Sequence, residues 1–323
     1  MTTPDRLAIE ATGLRKSYGD QVVLNGIDLA VPEGTIFSLL GPNGAGKTTV
    51  VQILSTLISA DGGELRVAGH DLAAEPDAVR AAIGVTGQFS AVDNLLTGTE
   101  NLLLMADLHH LGRAAGRRRT ADLLGQFDLA GAAGKLAGTY SGGMRRRLDL
   151  AMTLVGNPRL IFLDEPTTGL DPRSRQTMWQ IVRDLAASGI SILLTTQQLE
   201  EADELADRIA LLDHGRIVAE GTPDELKRRI PGGHIELRFA AQRELESAGT
   251  LLAVTSRDDD ALTLQVPSDG DVPALRALLN QLDSAAIKVE GLSIHTPDLD
   301  DVFFALTGQP DDARPHAQKV SQP

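Results

Sequence analysis

A glycine-rich loop between a short apolar segment and a helix constrains the fold of this 323-residue chain more than any other feature. The apolar segment IFSLL covers residues 36–40, GPNGAGKTT follows at 41–49, and apolar residues at helical spacing begin at Val50. The loop fits the pattern G-x-x-x-x-G-K-[ST] in the strand, loop and helix order that this pattern requires. Strand-like and helix-like patterns alternate up to about residue 230, which predicts an α/β domain built around a phosphate-binding loop.

Each part of the loop is suited to binding an anion such as phosphate. Glycines let successive backbone N–H groups turn toward one phosphate, and the following helix adds about half a positive charge at its N-terminus. Lys47 is predicted to contact the β- and γ-phosphates, and the Thr48 hydroxyl to bind Mg²⁺. The candidate nucleotide-binding residues of the loop are Gly41, Asn43, Gly44, Ala45, Gly46, Lys47, Thr48 and Thr49.

A second apolar segment, LIFL at residues 160–163, ends in two adjacent carboxylates, Asp164 and Glu165. Beside a phosphate loop, such a pair has a clear chemical use. We predict that Asp164 holds Mg²⁺, directly or through water, and that Glu165 activates the attacking water as a general base.

Composition excludes several classes of protein. The chain has 30 Lys and Arg against 44 Asp and Glu, a formal charge of −14, whereas a general nucleic-acid binder needs a basic face. It has no cysteine, which excludes disulfides and Cys-ligated metals. No apolar run reaches the ~18 residues of a membrane-spanning helix. The N-terminus lacks the order of a secretory signal, so we expect a cytoplasmic protein.

The sequence also carries four ordered motifs of a known class. YSGGMRRR at 140–147 and LIFLDEPTTGLDP at 160–172 resemble the signature, Walker B and D-loop motifs of ABC-transporter ATPases. The closer resemblance is to the daunorubicin/doxorubicin-resistance ATP-binding family, and it spans about residues 7–308. The motifs that carry it are VTGQ (85–88), TYSGGMRRR (139–147), LDEPTTGLDPRSR (163–175), TTQ followed by LEEAD (195–203), and LDDVFFALTG (299–308).

The resemblance implies roles for residues outside the loop. Tyr18 stands where the family has an aromatic that stacks on adenine, although a core aromatic is the alternative. Gln88 corresponds to the glutamine that reaches Mg²⁺ and the attacking water and touches the membrane partner. Asp171 corresponds to the D-loop aspartate at the subunit interface. The signature residues, which would bind the γ-phosphate of the nucleotide held by the opposite subunit, are Ser141, Gly142 and Gly143.

Two positions depart from the commoner ABC pattern. Met144 replaces the usual glutamine of the signature, a change that leaves Ser141 and the glycine backbone in place. Gln197 stands where most members have the switch histidine. Glutamine can hydrogen-bond a γ-phosphate or a water but cannot carry a positive charge. The resemblance therefore implies a catalytic set of Glu165, Gln197 and Gln88, with Glu165 as the main base.

The implied fold is a P-loop NTPase ABC nucleotide-binding domain over residues 1–230, with a helical subdomain at about 90–155. A small α+β accessory domain is predicted at 231–308, after a linker at 228–233, and a disordered tail at 309–323. The pattern of the accessory domain has the order β-α-β-β-α-β, which resembles the ferredoxin-like split βαβ motif. Three of its four strands have predicted bounds, at 235–239, 262–266 and 287–294, with helices predicted at 243–247 and 272–282 and a final helix at 299–306.

The implied function is the ATP-hydrolysing subunit of an exporter. It would use ATP and Mg²⁺, form a homodimer, and sit peripherally on the cytoplasmic face of the membrane beside an integral permease of the ABC-2 type. The cargo would be a hydrophobic drug or antibiotic, with a lipid as the alternative. Two rival functions are a soluble ABC ATPase of DNA repair or translation and a catalytically silent regulatory subunit, which Gln197 makes conceivable.

Two further segments allow more than one interpretation. The run Arg145-Arg146-Arg147 faces either solvent or the membrane partner. Leu95, Leu96 and the run 102–104 are interpreted first as the core of the helical subdomain and second as a surface for permease docking.

Overall fold

The computed structural model describes residues 6–87, 90–229, 233–268, 272–295 and 297–307. The described chain divides into two compact units, one ending at Pro223 and the other beginning at Asp224. The predicted linker at 228–233 lies partly outside the described residues, and the predicted tail at 309–323 lies wholly outside them.

The first unit contains ten strands and seven α-helices among the described residues. Its strands are β1 Leu7–Tyr18, β2 Gln21–Pro32, β3 Ile36–Leu40, β4 Gly62–Val67, β5 His70–Asp71, β6 Ile83–Thr86, β7 Leu160–Asp164, β8 Ser191–Thr196, β9 Arg208–Asp213 and β10 Arg216–Gly221. Its helices are α1 Lys47–Leu54, α2 Pro76–Ala82, α3 Gly98–Leu108, α4 Arg113–Gln126, α5 Gly142–Thr153, α6 Pro172–Ala187 and α7 Leu199–Leu205.

A six-stranded sheet in the order β10-β9-β3-β8-β7-β6 forms the centre of this unit. Its strands run parallel except β10, which pairs antiparallel with β9. Strands β3, β7 and β8 are buried along their whole length. Continuous apolar strands of this kind are typical of parallel sheets covered on both faces. The predicted α/β fold, with the phosphate loop after a central strand, is confirmed.

A second, antiparallel sheet in the order β2-β1-β4-β5 lies in the same unit. Its inward residues share one apolar core with α1 and with alternate residues of the central sheet, including Phe37 and Phe162. A second core forms between the other face of the central sheet and α3 to α6. Leu102, one of the residues interpreted as helical-subdomain core, is fully buried there.

The second unit contains helices and a four-stranded antiparallel sheet in the order β12-β13-β11-β14. Its elements are α8 Pro223–Arg228 at its start, β11 His234–Arg238, α9 Gln242–Leu251, β12 Ser256–Asp258, β13 Thr263–Pro267, α10 Val272–Ser284, β14 Gly291–His295 and α11 Leu299–Thr307. The second strand and the fourth lie at the edges, as in a split βαβ fold. The predicted α+β accessory fold is confirmed.

One predicted strand of this unit begins too early. Apolar residues from Ile287 onward predicted a strand at 287–294, but β14 starts only at Gly291. The Ile287 N–H donates to the Leu282 carbonyl at the end of α10, 3.0 Å away, and the Ile287 side chain packs in the core from this position. A core side chain at a helix terminus has the same composition as a buried strand residue, so periodicity cannot separate the two.

Candidate functional site

The carboxyl ends of three adjacent parallel strands meet at the glycine-rich loop. In the sheet register Leu40 of β3 pairs with Thr196 of β8, and Asp164 of β7 pairs with Thr195. The loop begins there, because the Gly41 N–H donates to the Thr196 carbonyl at 3.2 Å. Ligands of parallel α/β sheets bind outside this edge, so the register alone gathers the predicted residues.

Two loop glycines are required by close contacts. A Cβ at Gly41 would lie 2.1 Å from the Leu212 carbonyl oxygen. Gly46 has a φ of 110°, and a Cβ there would lie 2.6 Å from the Leu24 side chain. Gly44 also has a positive φ, 82°. The sequence positions of these glycines therefore follow from a loop that turns tightly against β2 and β9.

The other loop residues occupy distinct positions. Ala45 is buried, and its carbonyl accepts from the Gly215 N–H at 3.1 Å. Asn43 and Thr48 are exposed, whereas Thr49 is half-buried in the first turn of α1.

Lys47 folds into the loop that it follows. Its ammonium donates to the Gly41 carbonyl at 2.8 Å and to the Pro42 carbonyl at 3.0 Å. Burial lowers the pKa of Lys47, and the nearby carboxylates of Glu165 and Asp164 oppose that shift. A desolvated ammonium among backbone groups attracts phosphate oxygens strongly, because the attraction between opposite charges is screened less in the protein than in water.

Asp164 is buried at the end of β7 and is held by two hydroxyls. The Thr48 hydroxyl donates to Asp164 Oδ2 at 3.1 Å, and the Thr195 hydroxyl donates to Oδ1. The structure therefore brings together two of the three side chains that sequence analysis assigned to Mg²⁺; the third, Gln88, lies outside the described residues. Hydroxyl and carboxylate oxygens are hard ligands, and Mg²⁺ in nucleotide sites commonly takes one or two carboxylates together with substrate phosphates.

Glu165 is half-buried and adopts a left-handed backbone conformation, with a φ of 47°. Its N–H donates to the Thr195 carbonyl at 3.0 Å, and its Oε2 accepts from the Thr168 hydroxyl at 3.2 Å. A non-glycine residue in this region costs about 1–3 kcal/mol and persists only when the surroundings hold it. Such strain is concentrated at active sites, which agrees with the role predicted for Glu165.

Tyr18 lies at the end of β1, opposite Gln21 at a tight turn into β2. Half of its surface is exposed, so the alternative of a core aromatic is wrong. The same strand β2 reaches the phosphate loop two residues later, where the Val23 carbonyl lies 3.2 Å from the Cβ position of Gly46. The tyrosine ring is thus an accessible flat surface on a hairpin that abuts the loop.

The signature residues begin helix α5. Ser141 is its N-cap and accepts from the Met144 N–H at 3.2 Å, while Gly142 is exposed. Gly143 lies against α6, because a Cβ there would come within 2.5 Å of Ser174 Oγ. A helix N-terminus with a capping hydroxyl and glycine N–H groups is suited to phosphate binding.

Asp171 caps α6 beside the signature. Its Oδ1 accepts from the Ser174 N–H at 3.0 Å and its Oδ2 from the Ser174 hydroxyl at 2.6 Å. These hydrogen bonds lower the pKa of Asp171, so its carboxylate is ionised at neutral pH. Because Ser174 lies against Gly143, the exposed Ser141 and Gly142 of the signature lie near the exposed Asp171.

Of the two glutamines with predicted catalytic roles, the structure describes only Gln197. Gln197 is exposed and directly follows β8, the strand whose Thr195 hydroxyl donates to Asp164. Gln88 lies outside the described residues. The described flanks of its loop are anchored, since the Gly87 carbonyl accepts from Arg146 at 2.8 Å and the Ala91 N–H donates to Asp149 at 3.1 Å.

Two arginines of the run after the signature, Arg146 and Arg147, donate to backbone carbonyls of the same chain. The Arg146 side chain is only 10% exposed and donates to carbonyls of two segments, Gly87 and residues 164–166. Arg147 donates to the Phe127 carbonyl at 2.8 Å. The interpretation of Arg146 as a solvated side chain was therefore wrong, because its partners are mostly backbone carbonyls distant in sequence, which carry no sequence signal. Contact of the run with the membrane partner stays a prediction.

Sequence analysis also missed a buried carboxylate behind the site. Glu201 on α7 is 1% exposed, and its Oε1 accepts from the Thr167 hydroxyl at 2.7 Å and from Trp179 Nε1 at 3.3 Å. It also bonds the Thr196 side chain, and burial raises its pKa despite these bonds. Glu201 thereby links the segment after Glu165 to the residue before Gln197.

Replacing Glu201 with alanine should destabilise the first unit. Three buried donors would lose their acceptor, and each unsatisfied group costs about 1–3 kcal/mol, so we expect a loss of about 3 kcal/mol or more in the free energy of unfolding. Trp179, the single tryptophan of the chain, touches Glu201 and reports urea unfolding of this unit by its fluorescence. The Glu201→Gln variant keeps an acceptor oxygen and should lose less.

The pH dependence of that comparison follows from the raised pKa. The folded protein retains the Glu201 proton at pH values where the unfolded chain, with a pKa near 4.5, has released it. The stability of the parent relative to Glu201→Gln should therefore fall as pH rises above 4.5. A difference that is constant with pH, or that grows in the parent's favour, would contradict the buried position of this carboxyl.

Comparison with known proteins supports the same assignment. The ABC transporter family matches residues 24–168, and the family described as ATP-binding protein DrrA1-3-like, C-terminal domain, matches residues 221–307. The chain is 49% identical over 319 residues to the daunorubicin/doxorubicin resistance ATP-binding protein DrrA of Streptomyces peucetius, covering 97% of this chain and 96% of the relative.

Two further matches extend the comparison. The chain is 37% identical over 317 residues to Nod factor export ATP-binding protein I of Rhizobium sp. (strain N33), covering 94% and 98% of the two chains. A solved structure of the ATP binding subunit of an ABC transporter has 30% sequence identity and a TM-score of 0.62, covering 69% of this chain and 93% of that chain.

The parallel sheet, its phosphate loop and the ordered motifs define an ABC-transporter ATPase, an enzyme that binds and hydrolyses ATP. More particularly, the chain belongs to the daunorubicin/doxorubicin-resistance family of ATP-binding proteins. The predicted family and the predicted ATPase activity that powers export are confirmed at this level. ABC ATP-binding subunits of exporters work with membrane permeases. None of the helices in the described ranges combines the length and hydropathy needed to cross a bilayer.

Proposed function

We propose that the chain is the ATP-hydrolysing subunit of an exporter that moves a hydrophobic drug or antibiotic through a separate permease, with a lipid as the alternative cargo. The observation that carries this proposal is the 49% identity to a daunorubicin/doxorubicin resistance protein along 97% of the chain. That length includes the accessory unit as well as the ATPase unit. Similarity to proteins named for resistance and export argues against the rival function in DNA repair or translation.

The proposed substrate site lies at the carboxyl edge of the central sheet. Lys47 and the backbone N–H groups of the loop would bind the β- and γ-phosphates, and the exposed Tyr18 ring would stack on adenine. The hydroxyl of Thr48 and the carboxylate of Asp164, already 3.1 Å apart, would hold Mg²⁺ together with Gln88. When bound, the ion supplies positive charge that neutralises the phosphate oxygens.

Glu165 would accept the proton of the attacking water, since it is half-buried at the end of β7 next to Asp164. Gln197 would hydrogen-bond the γ-phosphate or that water from the end of β8. Because a neutral amide cannot relay a proton, the proton has to go to Glu165. Removal of a general base typically costs about 10²–10⁴-fold in rate.

The second half of each site would come from a second copy of the chain. Ser141, Gly142 and Asp171 are exposed on one surface at the N-termini of α5 and α6. A head-to-tail homodimer would place this surface on the γ-phosphate of the nucleotide held by the opposite subunit. ATP would then stabilise the dimer by its greater affinity for the complete site.

The proposed permease, of the ABC-2 type, would meet the helical part of the first unit at the cytoplasmic face of the membrane. Leu95 is 82% exposed at the start of this part, and Leu104, Leu108 and Leu136 are exposed as well. Contiguous exposed apolar patches mark interaction sites, and these leucines are the candidates for such a patch. The docking interpretation is therefore retained for Leu95 but not for the buried Leu102.

Substitutions of Gln197 test its proposed role. If Gln197 hydrogen-bonds the γ-phosphate or the water, Gln197→Ala should lower the ATP turnover number by about 10-fold, in line with the loss of a hydrogen bond to a charged group. Gln197→His should retain most of the activity, because an imidazole can make the same bond. Equal turnover of all three proteins would show that the position takes no part in hydrolysis.

Transport by inside-out membrane vesicles tests the proposed function itself. Vesicles that contain the chain and its permease should accumulate doxorubicin when ATP is added, and vesicles with the Glu165→Gln chain should accumulate about as little as vesicles without ATP. The Glu165→Gln vesicles are the matched control, since both proteins are present. ATP-dependent phosphate release without uptake of this drug, with a labelled phospholipid translocated instead, would favour the lipid cargo.

A further inference from the structure

One buried arginine joins three parts of the site that are far apart in sequence. Arg146 lies in the second turn of α5, and its guanidinium donates to five oxygen atoms. They are the carbonyls of Gly87 (2.8 Å), Pro166 (2.9 Å), Asp164 (3.1 Å) and Glu165 (3.4 Å), and the carboxylate of Asp149 (3.3 Å). Arginine has five N–H donors in a fixed planar fork, so this set uses its full hydrogen-bonding capacity.

Asp149, three residues further along the same helix, completes the arrangement. Its side chain is 4% exposed and pairs with Arg146. Its Oδ1 accepts from the Ala91 N–H at 3.1 Å, and it also bonds the Ser90 side chain. The ion pair thus binds the described residues on both sides of Gln88, Gly87 through the arginine and residues 90–91 through the aspartate.

The same guanidinium hydrogen-bonds the backbone at Glu165 and on both sides of it. The left-handed conformation of this residue, with a φ of 47°, is strained for a side chain with a Cβ. Arg146 binds the carbonyl before it, its own carbonyl and the one after it. Three bonds from one rigid donor group to three successive carbonyls leave the peptide units around Glu165 little freedom to rotate.

We propose that Arg146, held by Asp149, is a positioning residue that keeps the Glu165 carboxylate in its catalytic orientation. The inference rests on the proposed role of Glu165 as the base. Lysine cannot replace the fork, since its ammonium is a point charge on a flexible stem.

The proposal predicts an effect on turnover and not on nucleotide affinity. In the full-length protein, Arg146→Ala should lower the turnover number about 10- to 100-fold, the loss that a misplaced catalytic group can cause. The dissociation constant of the non-hydrolysable analogue AMP-PNP, measured by calorimetry, should change less than about 3-fold, because none of the phosphate-binding groups is altered. Arg146→Lys should recover part of the turnover.

A matched control is available at the other end of the same helix. Arg119 is half-buried and donates to the Leu154 carbonyl that ends α5, at 2.6 Å. Arg119→Ala removes a comparable arginine–carbonyl contact and should leave turnover within about twofold, as expected for a residue outside the site. If Arg119→Ala and Arg146→Ala lower turnover equally, Arg146 has only a structural role and the proposal is wrong.

A double substitution separates this inference from the role of Glu165. In a Glu165→Gln background, where the base is already lost, adding Arg146→Ala should change the residual turnover by less than about twofold, because residues that act as a unit are non-additive. A further loss equal to that in the parent would overturn the proposal. If Glu165→Gln alone hydrolyses ATP at the parent rate, the proposed base is wrong and this test identifies that failure separately.

Loss of folding would not leave the question open. Arg146→Ala leaves the Asp149 carboxylate buried without its partner charge, which can unfold the protein. A second variant therefore combines Arg146→Gln with Asp149→Asn, so that no uncompensated charge is buried. It should fold, as judged by Trp179 fluorescence, and bind AMP-PNP with the parent affinity. It should still show the reduced turnover, and parent turnover in this variant would refute the positioning role.

Discussion

Replacing Glu165 with glutamine is expected to lower the ATP turnover number about 10²–10⁴-fold, the usual cost of losing a general base. Glutamine has nearly the same shape as glutamate and can keep the hydrogen bond from the Thr168 hydroxyl. The change therefore removes the basic oxygen without disturbing the loop, and the affinity for AMP-PNP should be unchanged.

The same variant should accumulate as an ATP-bound dimer. Because ATP binds both halves of a composite site but is no longer cleaved, the equilibrium shifts toward the assembled state. Size-exclusion chromatography with Mg-ATP should show the dimer in Glu165→Gln and less of it in the parent. Glu10→Gln, an exposed glutamate of β1, is the matched control and should behave as the parent. If Glu165→Gln turns over ATP at the parent rate, Glu165 is not the base.

Replacing Lys47 with alanine is expected to abolish measurable hydrolysis and to weaken binding of AMP-PNP at least 10-fold. A hydrogen bond to a charged group contributes about 1.5–3 kcal/mol, which is about 10- to 150-fold in affinity, and loss of a donor to developing negative charge costs a further ~10²–10³-fold in rate. Lys47 is placed for this purpose, since its buried ammonium lies within the loop at 2.8 Å from the Gly41 carbonyl.

Calorimetric titration with AMP-PNP measures the Lys47 effect directly. Lys288→Ala, an exposed lysine of the second unit, provides the control for the loss of one positive charge from the chain. It should leave the affinity unchanged, because charges this exposed are screened by solvent and salt. Unchanged affinity in Lys47→Ala would show that the glycine-rich loop does not bind the nucleotide phosphates.

The phosphate-binding loop and the carboxylate strand could be predicted from the sequence because each is continuous along the chain. The glycines, Lys47 and Thr48 lie within eight consecutive residues, and Asp164 and Glu165 directly end an apolar segment. The adjacency of the two segments also followed, since the carboxyl ends of parallel strands meet at one edge of a sheet. The hydrogen bond from Thr48 to Asp164 joins residues 116 positions apart and agrees with that expectation.

The residues that support the site could not be predicted, because their partners are scattered. Arg146 donates to carbonyls 18 to 59 positions away, and every residue type has a carbonyl. Its charge suggested a solvated face, whereas five well-placed acceptors make its burial favourable. Glu201 was missed for the same reason, since its partners on three segments are two threonines and a tryptophan.

Other differences arise where one residue type suits two environments. From its sequence, Tyr18 could pack in a core or lie on a surface. Its position at the turn between β1 and β2 is what exposes it. Leu95 and Leu102 look alike in sequence, yet one is exposed before α3 and the other is buried within it. The roles assigned to Gln88, Gln197, the signature residues and Asp171 come from resemblance and remain predictions.

The measurement that tests the central claim most directly is phosphate release by the purified full-length chain with ATP, in Mg²⁺ and in EDTA. We predict saturable, Mg²⁺-dependent release that Glu165→Gln reduces at least about 10²-fold and that Lys47→Ala abolishes. Such a result would separate an active ATPase subunit from the silent regulatory subunit that Gln197 made conceivable. Release no greater than that of Lys47→Ala, in a chain that still binds AMP-PNP, would contradict the account.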